Sequence, residues 1–315
     1  MSQEKNFFVV GSINADLIAY GNPASPGNNY VVGRKFEFNL GGKSLNVAYS
    51  LKSLNSQVDL ISRVGNDLFG DEILRRLFES GFDISKITVD QEAYTGIGHV
   101  RVGTDGEYNT IVIPGASMNV GVEDFIRQTT GNAAGYVILN FEIQKDSFVK
   151  IAEKAKSLGL EVIANLSPTC PWAGDVVSYV DVAVMNYLEA LALCPGENDL
   201  DLEGLASAIC AQGAGAVVIT LGKNGVCGRD KFGNYFLIST EPVQVLNAVG
   251  AGDSFLATMA YAISKGIDIE QSAKIANLAG RQVCLQAESF LTKQDAALIM
   301  NEISNLTART EINNG

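Results

Sequence analysis

The eight residues Ala248-Val249-Gly250-Ala251-Gly252-Asp253-Ser254-Phe255 set a single carboxylate at the junction between a glycine turn and an apolar run. Phe255, Leu256, Met259, Ala260 and Ile263 recur at helical spacing, and Gly266 after Lys265 marks a stop, so a helix over Ser254–Ser264 is expected. Gly250, Ala251 and Gly252 would then offer unpaired backbone N–H groups at a helix N-terminus, where the dipole also favours negative charge. One aspartate beside such a nest suits phosphoryl transfer. The amides stabilise charge on the moving group while the carboxylate takes the proton of the attacking hydroxyl. The same residues would equally serve as a tight strand-to-helix turn with Asp253 favouring the dipole.

Four further clusters carry polar groups at the ends of apolar runs. Gly41-Gly42-Lys43-Ser44 resembles a P-loop, but that pattern needs a glycine at position 37, which is Glu37. What remains is a glycine pair, Lys43 and Asn46 at a helix start, a set suited to a polyhydroxylated ligand or to an ordinary helix entry. Gly11-Ser12-Ile13-Asn14-Ala15-Asp16 follows the first apolar run, where open parallel sheets bind ligands. Asn14 and Asp16 would present an amide and a carboxylate to sugar hydroxyls, or close an Asx-turn. Glu142 follows another such run and would reach the same crevice. Asn186-Tyr187-Leu188-Glu189 has the spacing of a capping box, and Glu189 would also suit a metal-bound water. Thr220-Leu221-Gly222-Lys223-Asn224-Gly225 ends a run in a glycine turn fit for a nucleotide's base and ribose.

Elimination narrows the chemistry. His99 is the only histidine and sits in a strand-like alternation, which leaves general-base work to a carboxylate. The five cysteines are scattered without a close pair, as expected of free thiols in a reducing compartment. A net charge of -12 argues against a nucleic-acid footprint or an anionic membrane surface. No apolar stretch approaches the roughly 18 residues of a membrane span. The polar N-terminus lacks the charge and apolar pattern of a signal peptide, so a soluble, cytoplasmic protein is expected.

The elements that must hold these groups alternate along the 315 residues. Phe7–Val10, Val58–Ser62, Tyr136–Leu139, Leu160–Ala164, Val180–Met185 and Ala216–Leu221 read as buried parallel strands. Leu45–Leu54, Phe69–Ser80, Ser147–Leu158, Leu202–Gln212 and Ile269–Leu285 read as helices beside Ser254–Ser264. That alternation predicts an α/β fold around a covered, mostly parallel sheet. Leu17–Phe38 and Gly96–Ile113 break it, the second as a hairpin turning at Thr104-Asp105-Gly106, and together they suggest a small β-lid over a site. The tail after Ser304 is polar and is expected to fray.

Taken in order, the segment Val9–Asp16, Gly-Gly-Lys-x-x-Asn at 41–46, Asn-x-x-Glu at 186–189 and Gly-Ala-Gly-Asp at 250–253 resemble the PfkB/ribokinase family of sugar and nucleoside kinases. The resemblance runs to about residue 290. It implies one three-layer α/β/α kinase domain over 1–310, with lid segments about 17–38 and 96–113 inserted and a polar tail at 305–315. It makes Asp253 the catalytic base and Gly250, Ala251 and Gly252 the anion hole. It assigns Asn14, Asp16, Gly42, Lys43, Asn46 and Glu142 to the sugar. Asn186, Thr220, Gly222 and Gly225 would contact ATP, with Asn277 near the adenine and Glu189 on the magnesium–water network. The lid would also make a homodimer contact.

Two departures bear on that picture. The family's Asp-Thr before the anion hole is Asn247-Ala248 here, and its Gly-Ala near the C-terminal loop becomes Gln286-Ala287-Glu288-Ser289. Both regions form the family's monovalent-cation site, so Asn247 and the Val249 carbonyl would hold potassium weakly at best. Ser44-Leu45 stands where Gly-Ala is usual, and these larger side chains are expected to border the sugar site. The implied activity is transfer of the ATP γ-phosphate to a primary hydroxyl of a small sugar. A fructokinase, a nucleoside kinase and a binding protein with weak catalysis are the alternatives.

Overall fold

The computed structural model describes residues 5–21, 32–103, 108–129, 134–196 and 200–313. Its strands, in chain order, are β1 (Asn6–Val10), β2 (Asn14–Tyr20), β3 (Lys35–Gly41), β4 (Val58–Gly65), β5 (Ile87–Asp90), β6 (Gly96–Val102) and β7 (Tyr108–Ile113). They continue as β8 (Gly135–Asn140), β9 (Glu161–Asn165), β10 (Val182–Asn186), β11 (Ala216–Thr220), β12 (Val226–Arg229) and β13 (Tyr235–Ile238). The helices are α1 (Lys43–Ser53), α2 (Leu68–Glu79), α3 (Val122–Gln128), α4 (Lys145–Ser157) and α5 (Tyr187–Leu193), then α6 (Leu202–Ala211), α7 (Ala251–Ser264), α8 (Ile269–Val283) and α9 (Lys293–Asn313).

Among the described residues, nine strands form one sheet in the order β13-β12-β11-β10-β9-β8-β1-β4-β5, parallel except at β12 and β13. Alternate side chains of each strand leave opposite faces, and both faces are covered. Phe7, Val9 and Ile138 enter one core with α1, α7, α8 and α9, while Phe8, Val10, Val137 and Leu139 enter the other with α4 and α6. This is the covered, mostly parallel sheet expected from the alternating runs, in the three-layer α/β/α arrangement that the resemblance implies.

The second sheet has the order β3-β2-β6-β7. Its outer pairs are antiparallel, but β2 and β6 run parallel, which joins the two inserted segments into one sheet. The proposed turn at 104–106 lies outside the described residues, as does the stretch 22–31 of the first segment. The polar tail after Ser304 continues as helix α9 to Asn313. Its inner face explains this: Ile299 and Ile303 are buried and Leu306 packs against the same core. The antiparallel edge β12–β13 gave too short an alternation to be seen in the sequence. No helix among the described residues is long and apolar enough to cross a membrane.

Candidate active site

Helix α7 is buried on nearly every side: each residue from Asp253 to Ala262 is enclosed, so its position is fixed by packing rather than by propensity. It starts earlier than its apolar period suggests, because Gly250 takes a left-handed φ of 78° and caps it. A Cβ there would collide with the carbonyl of Ser289, so only glycine lets the 284–289 loop lie against this turn. Asp253 therefore occupies the first turn, 5% exposed, with Asn46 Nδ2 of α1 donating to its Oδ2 at 2.9 Å. Gly252 has open space above its Cα.

Helix α1 enters at Gly42, whose φ of 104° lets the chain pass Ser12; a Cβ would stand 2.6 Å from that carbonyl. The turn brings Lys43 into an acidic environment. Asp253 above all holds the Lys43 ammonium protonated well beyond its usual range, against desolvation and with help from Glu142 and Glu189. Glu142 is itself fixed: its Oε2 accepts from Ser12 Oγ and from Lys43 N at 3.2 Å, and its own N–H donates to Asn140 Oδ1 at 2.9 Å.

The second sheet supplies the other wall. Register places Asn14 between Gly41 and Gly96, and Asp16 between Asn39 and Gly98. Side chains at Gly41 or Gly98 would collide with the Asp16 carboxylate, and one at Gly96 with Asn14 Oδ1. The three glycines thus form bare floor beneath two polar side chains. Asn14 Oδ1 is buried with no hydrogen-bond partner among the described residues. Burial first, and the charge of Glu142 second, push the Asp16 carboxyl up to about 6. Desolvated, unsatisfied groups of this kind are costly unless a ligand completes them.

The structure thus gathers Asn14, Asp16, Gly42, Lys43, Asn46, Glu142 and Asp253 into one crevice beyond the carboxyl ends of β1 and β8. Ser12, Asn140, Gly96 and Gly98 also belong to it and were not read from the sequence. Asn140 closes an apolar strand, and Gly96 and Gly98 break a strand alternation, which are the signals that were available. Of Ser44 and Leu45, both expected to border the crevice, only Ser44 meets it, through Asn140. Leu45 lies in the core, and the Ser44 hydroxyl is held between Val10 O and Asn140 Nδ2, at 3.2 and 2.8 Å.

A second set lies at the ends of β10 and β11, where Asn186 is the register partner of Thr220. Asn186 and Glu189 form the capping box: Glu189 N donates to Asn186 Oδ1 at 2.9 Å and Asn186 N to Glu189 Oε2 at 2.7 Å. Glu189 is buried, and its charge also bears on Lys43. Gly222 opens a 3₁₀ turn with free space above it, while Gly225 passes so close to Ile238 O that a Cβ would collide. Asn277 is half-buried on α8, and no hydrogen bond among the described residues ties it to this set.

The structure bears differently on the two implied metals. No three His, Cys, Asp or Glu side chains converge among the described residues. A magnesium ion carried on nucleotide phosphates would need only one or two protein carboxylates, and Glu189 and Asp253, whose charges both bear on Lys43, are the ones that would serve. The potassium site does not fit. Asn247 Nδ2 donates to Ala287 O at 3.1 Å and Asn247 Oδ1 accepts from Val249 N at 3.0 Å, so the amide spans the place where a carboxylate would face an ion.

The profile of the pfkB family carbohydrate kinases matches residues 4–294. The chain is 27% identical over 284 residues to a ribokinase of Schizosaccharomyces pombe, covering 86% of this chain and 89% of that protein. It is 28% identical over 282 residues to a ribokinase of Bacillus subtilis, covering 87% and 91%. The fold superimposes on Arabidopsis thaliana ribokinase complexed with ribose and ATP with a TM-score of 0.82 at 23% identity, covering 94% of this chain and 99% of that one. The chain belongs to the pfkB family of carbohydrate kinases, enzymes that transfer phosphate to a hydroxyl group.

Proposed function

We propose that the chain transfers the γ-phosphate of ATP to a primary hydroxyl of a small sugar, with D-ribose the first candidate. The observation that carries this is the single polar cluster joining buried Asp253, at the glycine-capped start of α7, to Lys43 and, through Glu142, to Asp16. The relatives and the ribose- and ATP-bound neighbour support ribose over other sugars. Asn14 Oδ1 and Asp16 accept hydroxyl protons of the sugar, and Glu142, Lys43 and Asn46 orient it. Asp253 takes the proton of the attacking hydroxyl, and the N–H groups of Gly250, Ala251 and Gly252 stabilise the transferring phosphoryl. Asn186, Thr220, Gly222, Gly225 and Asn277 line the nucleotide's path. Glu189 would hold magnesium through water, and the ion would supply neutralisation of phosphate charge.

The β2-β3-β6-β7 sheet closes over the bound sugar and excludes water. Its other face exposes Phe36, Ile111 and Ile113, and a second copy of the chain docks there. All five cysteines are free, in keeping with a cytoplasmic enzyme. The test is a panel of D-ribose, 2-deoxy-D-ribose, D-fructose, adenosine and inosine with magnesium and ATP, read by product mass. Phosphorylated ribose formed with the highest kcat/KM is expected. Preference for a nucleoside or fructose overturns the substrate, and ATP consumption with none of them overturns the reading altogether.

A further inference from the structure

Asn247 stands at the start of the turn that leads into Gly250. Its carboxamide makes two hydrogen bonds whose directions fix its orientation. Val249 N–H can only donate, so it must face Oδ1, and the Ala287 carbonyl can only accept, so it must face Nδ2. A flipped amide would set donor against donor and acceptor against acceptor. Around this bridge the two segments are stitched further. Leu246 N donates to Cys284 O at 2.8 Å, and Gly250 lies directly against the backbone of Ser289. The turn that offers the anion-hole amides is therefore held from behind by the 284–289 loop, and Asn247 is the side chain that fastens them.

A carboxylate at this position would change the sign of the contact. Its second oxygen would face the Ala287 carbonyl oxygen, two acceptors that need a cation between them. We propose that the Asn247 amide N–H does the work of a monovalent cation in this chain, so that the anion-hole turn is positioned by a built-in hydrogen bond and needs no potassium. Asn247 is thus a positioning residue, acting through Val249, Gly250 and Ala287 rather than on the substrate. The inference rests on the kinase reading for its catalytic consequence, but its structural part does not.

The structural arm is hydrogen exchange over residues 246–250 and 284–290 of the ligand-free protein, in potassium and in tetramethylammonium chloride at equal ionic strength. Equal protection in both salts is expected for the natural chain, and Asn247→Ala should exchange at least tenfold faster in both. The catalytic arm measures kcat with D-ribose and MgATP in the same salts. The natural chain should change less than twofold. Asn247→Ala should fall about tenfold without recovery in either salt. Asn247→Asp should fall equally in tetramethylammonium and recover several-fold, saturably, with potassium, which a merely structural role would not produce. Potassium-dependent protection or activation of the natural chain overturns the proposal. So does an Asn247→Ala variant with unaltered exchange, or an Asn247→Asp variant indifferent to potassium. If no sugar is turned over by any form, the exchange arm still decides whether the amide or an ion holds the loop.

Discussion

The side of the crevice walled by the second sheet, the proposed lid side, and the side at the ends of β10 and β11, the proposed nucleotide side, differ in what they leave unsatisfied. On the lid side Asn14 Oδ1 is buried without a partner, and Asp16 is held up to about 6 by burial and by Glu142. On the nucleotide side Asn186 and Glu189 satisfy each other, and both ends of the Asn247 amide are bonded. The first region stores desolvation cost that a ligand's hydroxyls can relieve. Such a site rejects molecules lacking those hydroxyls by leaving its own groups unpaired. The second region is a finished backbone frame, fit for a cosubstrate shared by many enzymes. Discrimination therefore belongs to the lid side, and Asp253 stands between the two.

The largest expected effect is at that boundary. Asp253→Asn keeps a partner for Asn46 but removes the base, so turnover should fall roughly 10²–10⁴-fold. Sugar affinity by calorimetry should stay within a few-fold. Turnover near that of the natural protein would return Asp253 to the role of a turn residue.

Asp16 tests whether the lid side is built for ligand rather than for stability. Asp16→Asn should weaken sugar binding by roughly 10–100-fold, the loss of a charge-assisted hydrogen bond. Its effect on folding has the opposite sign. The folded carboxyl titrates near 6 against an ordinary 3.8, so the protonated form is favoured by folding and ionisation opposes it. That penalty is absent below about pH 4, grows between 4 and 6, and is complete above 6, where it amounts to roughly 1–3 kcal/mol. Urea unfolding should find Asp16→Asn more stable than the natural protein at pH 8 and equal to it near pH 4. In the natural protein sugar affinity should drop below pH 6 as the carboxyl protonates. A variant that is simply destabilised at pH 8 would break the comparison.

Gly98 sharpens it further. Its backbone is an ordinary strand, so alanine is conformationally acceptable, yet the new Cβ would meet the Asp16 carboxylate. Displacing that flexible carboxylate from a charge-assisted contact with the sugar costs roughly 1–2 kcal/mol of binding, or about 5–30-fold in sugar affinity. The KM for ATP and the melting temperature should hardly move. An equal rise in both KM values would mean that the lid glycines serve the whole crevice.

The two regions also differed in how far they could be read from sequence. Asn14 and Asp16 announced themselves because polar residues just after an apolar run mark the carboxyl end of a strand, and Lys43 and Asp253 because each sits where a glycine turn enters a helix. Gly96 and Gly98 did not, since their meaning depends on β2 and β6 pairing in parallel, a contact between two separately inserted segments. Asn140 and Ser12 were hidden for a like reason, because their partner Glu142 meets them only in the folded sheet. Leu45 was misplaced because a helix entry shows which residues are near a loop but not which way they point. The core places it inward. At the C-terminus composition misled: polar residues after Ser304 suggested fraying, while Ile303 and Leu306 keep the apolar spacing of a docked helix. Periodicity carried the layers of the fold, and long-range register carried what it missed.

The smallest effects are expected on the nucleotide side, where cap and metal roles of one motif can be separated. Asn186→Ala removes the acceptor for Glu189 N–H, a loss of about 1 kcal/mol for a helix cap, and should lower the melting temperature by roughly 2 °C. Glu189→Gln acts differently. The glutamine carbonyl still accepts from Asn186 N–H, so the cap survives, but the charge that bears on Lys43, and that under the proposed reading would serve phosphate-bound magnesium, is gone. Stability should therefore stay within about 0.5 kcal/mol, the range of substitutions that break no such feature. The magnesium concentration giving half-maximal rate should rise several-fold, since one of few protein carboxylates near the ion is lost. Sugar affinity should hold in both variants. If Glu189→Gln loses stability and keeps its magnesium dependence, the motif is a helix cap and nothing more, and the nucleotide side has no acidic contribution of its own.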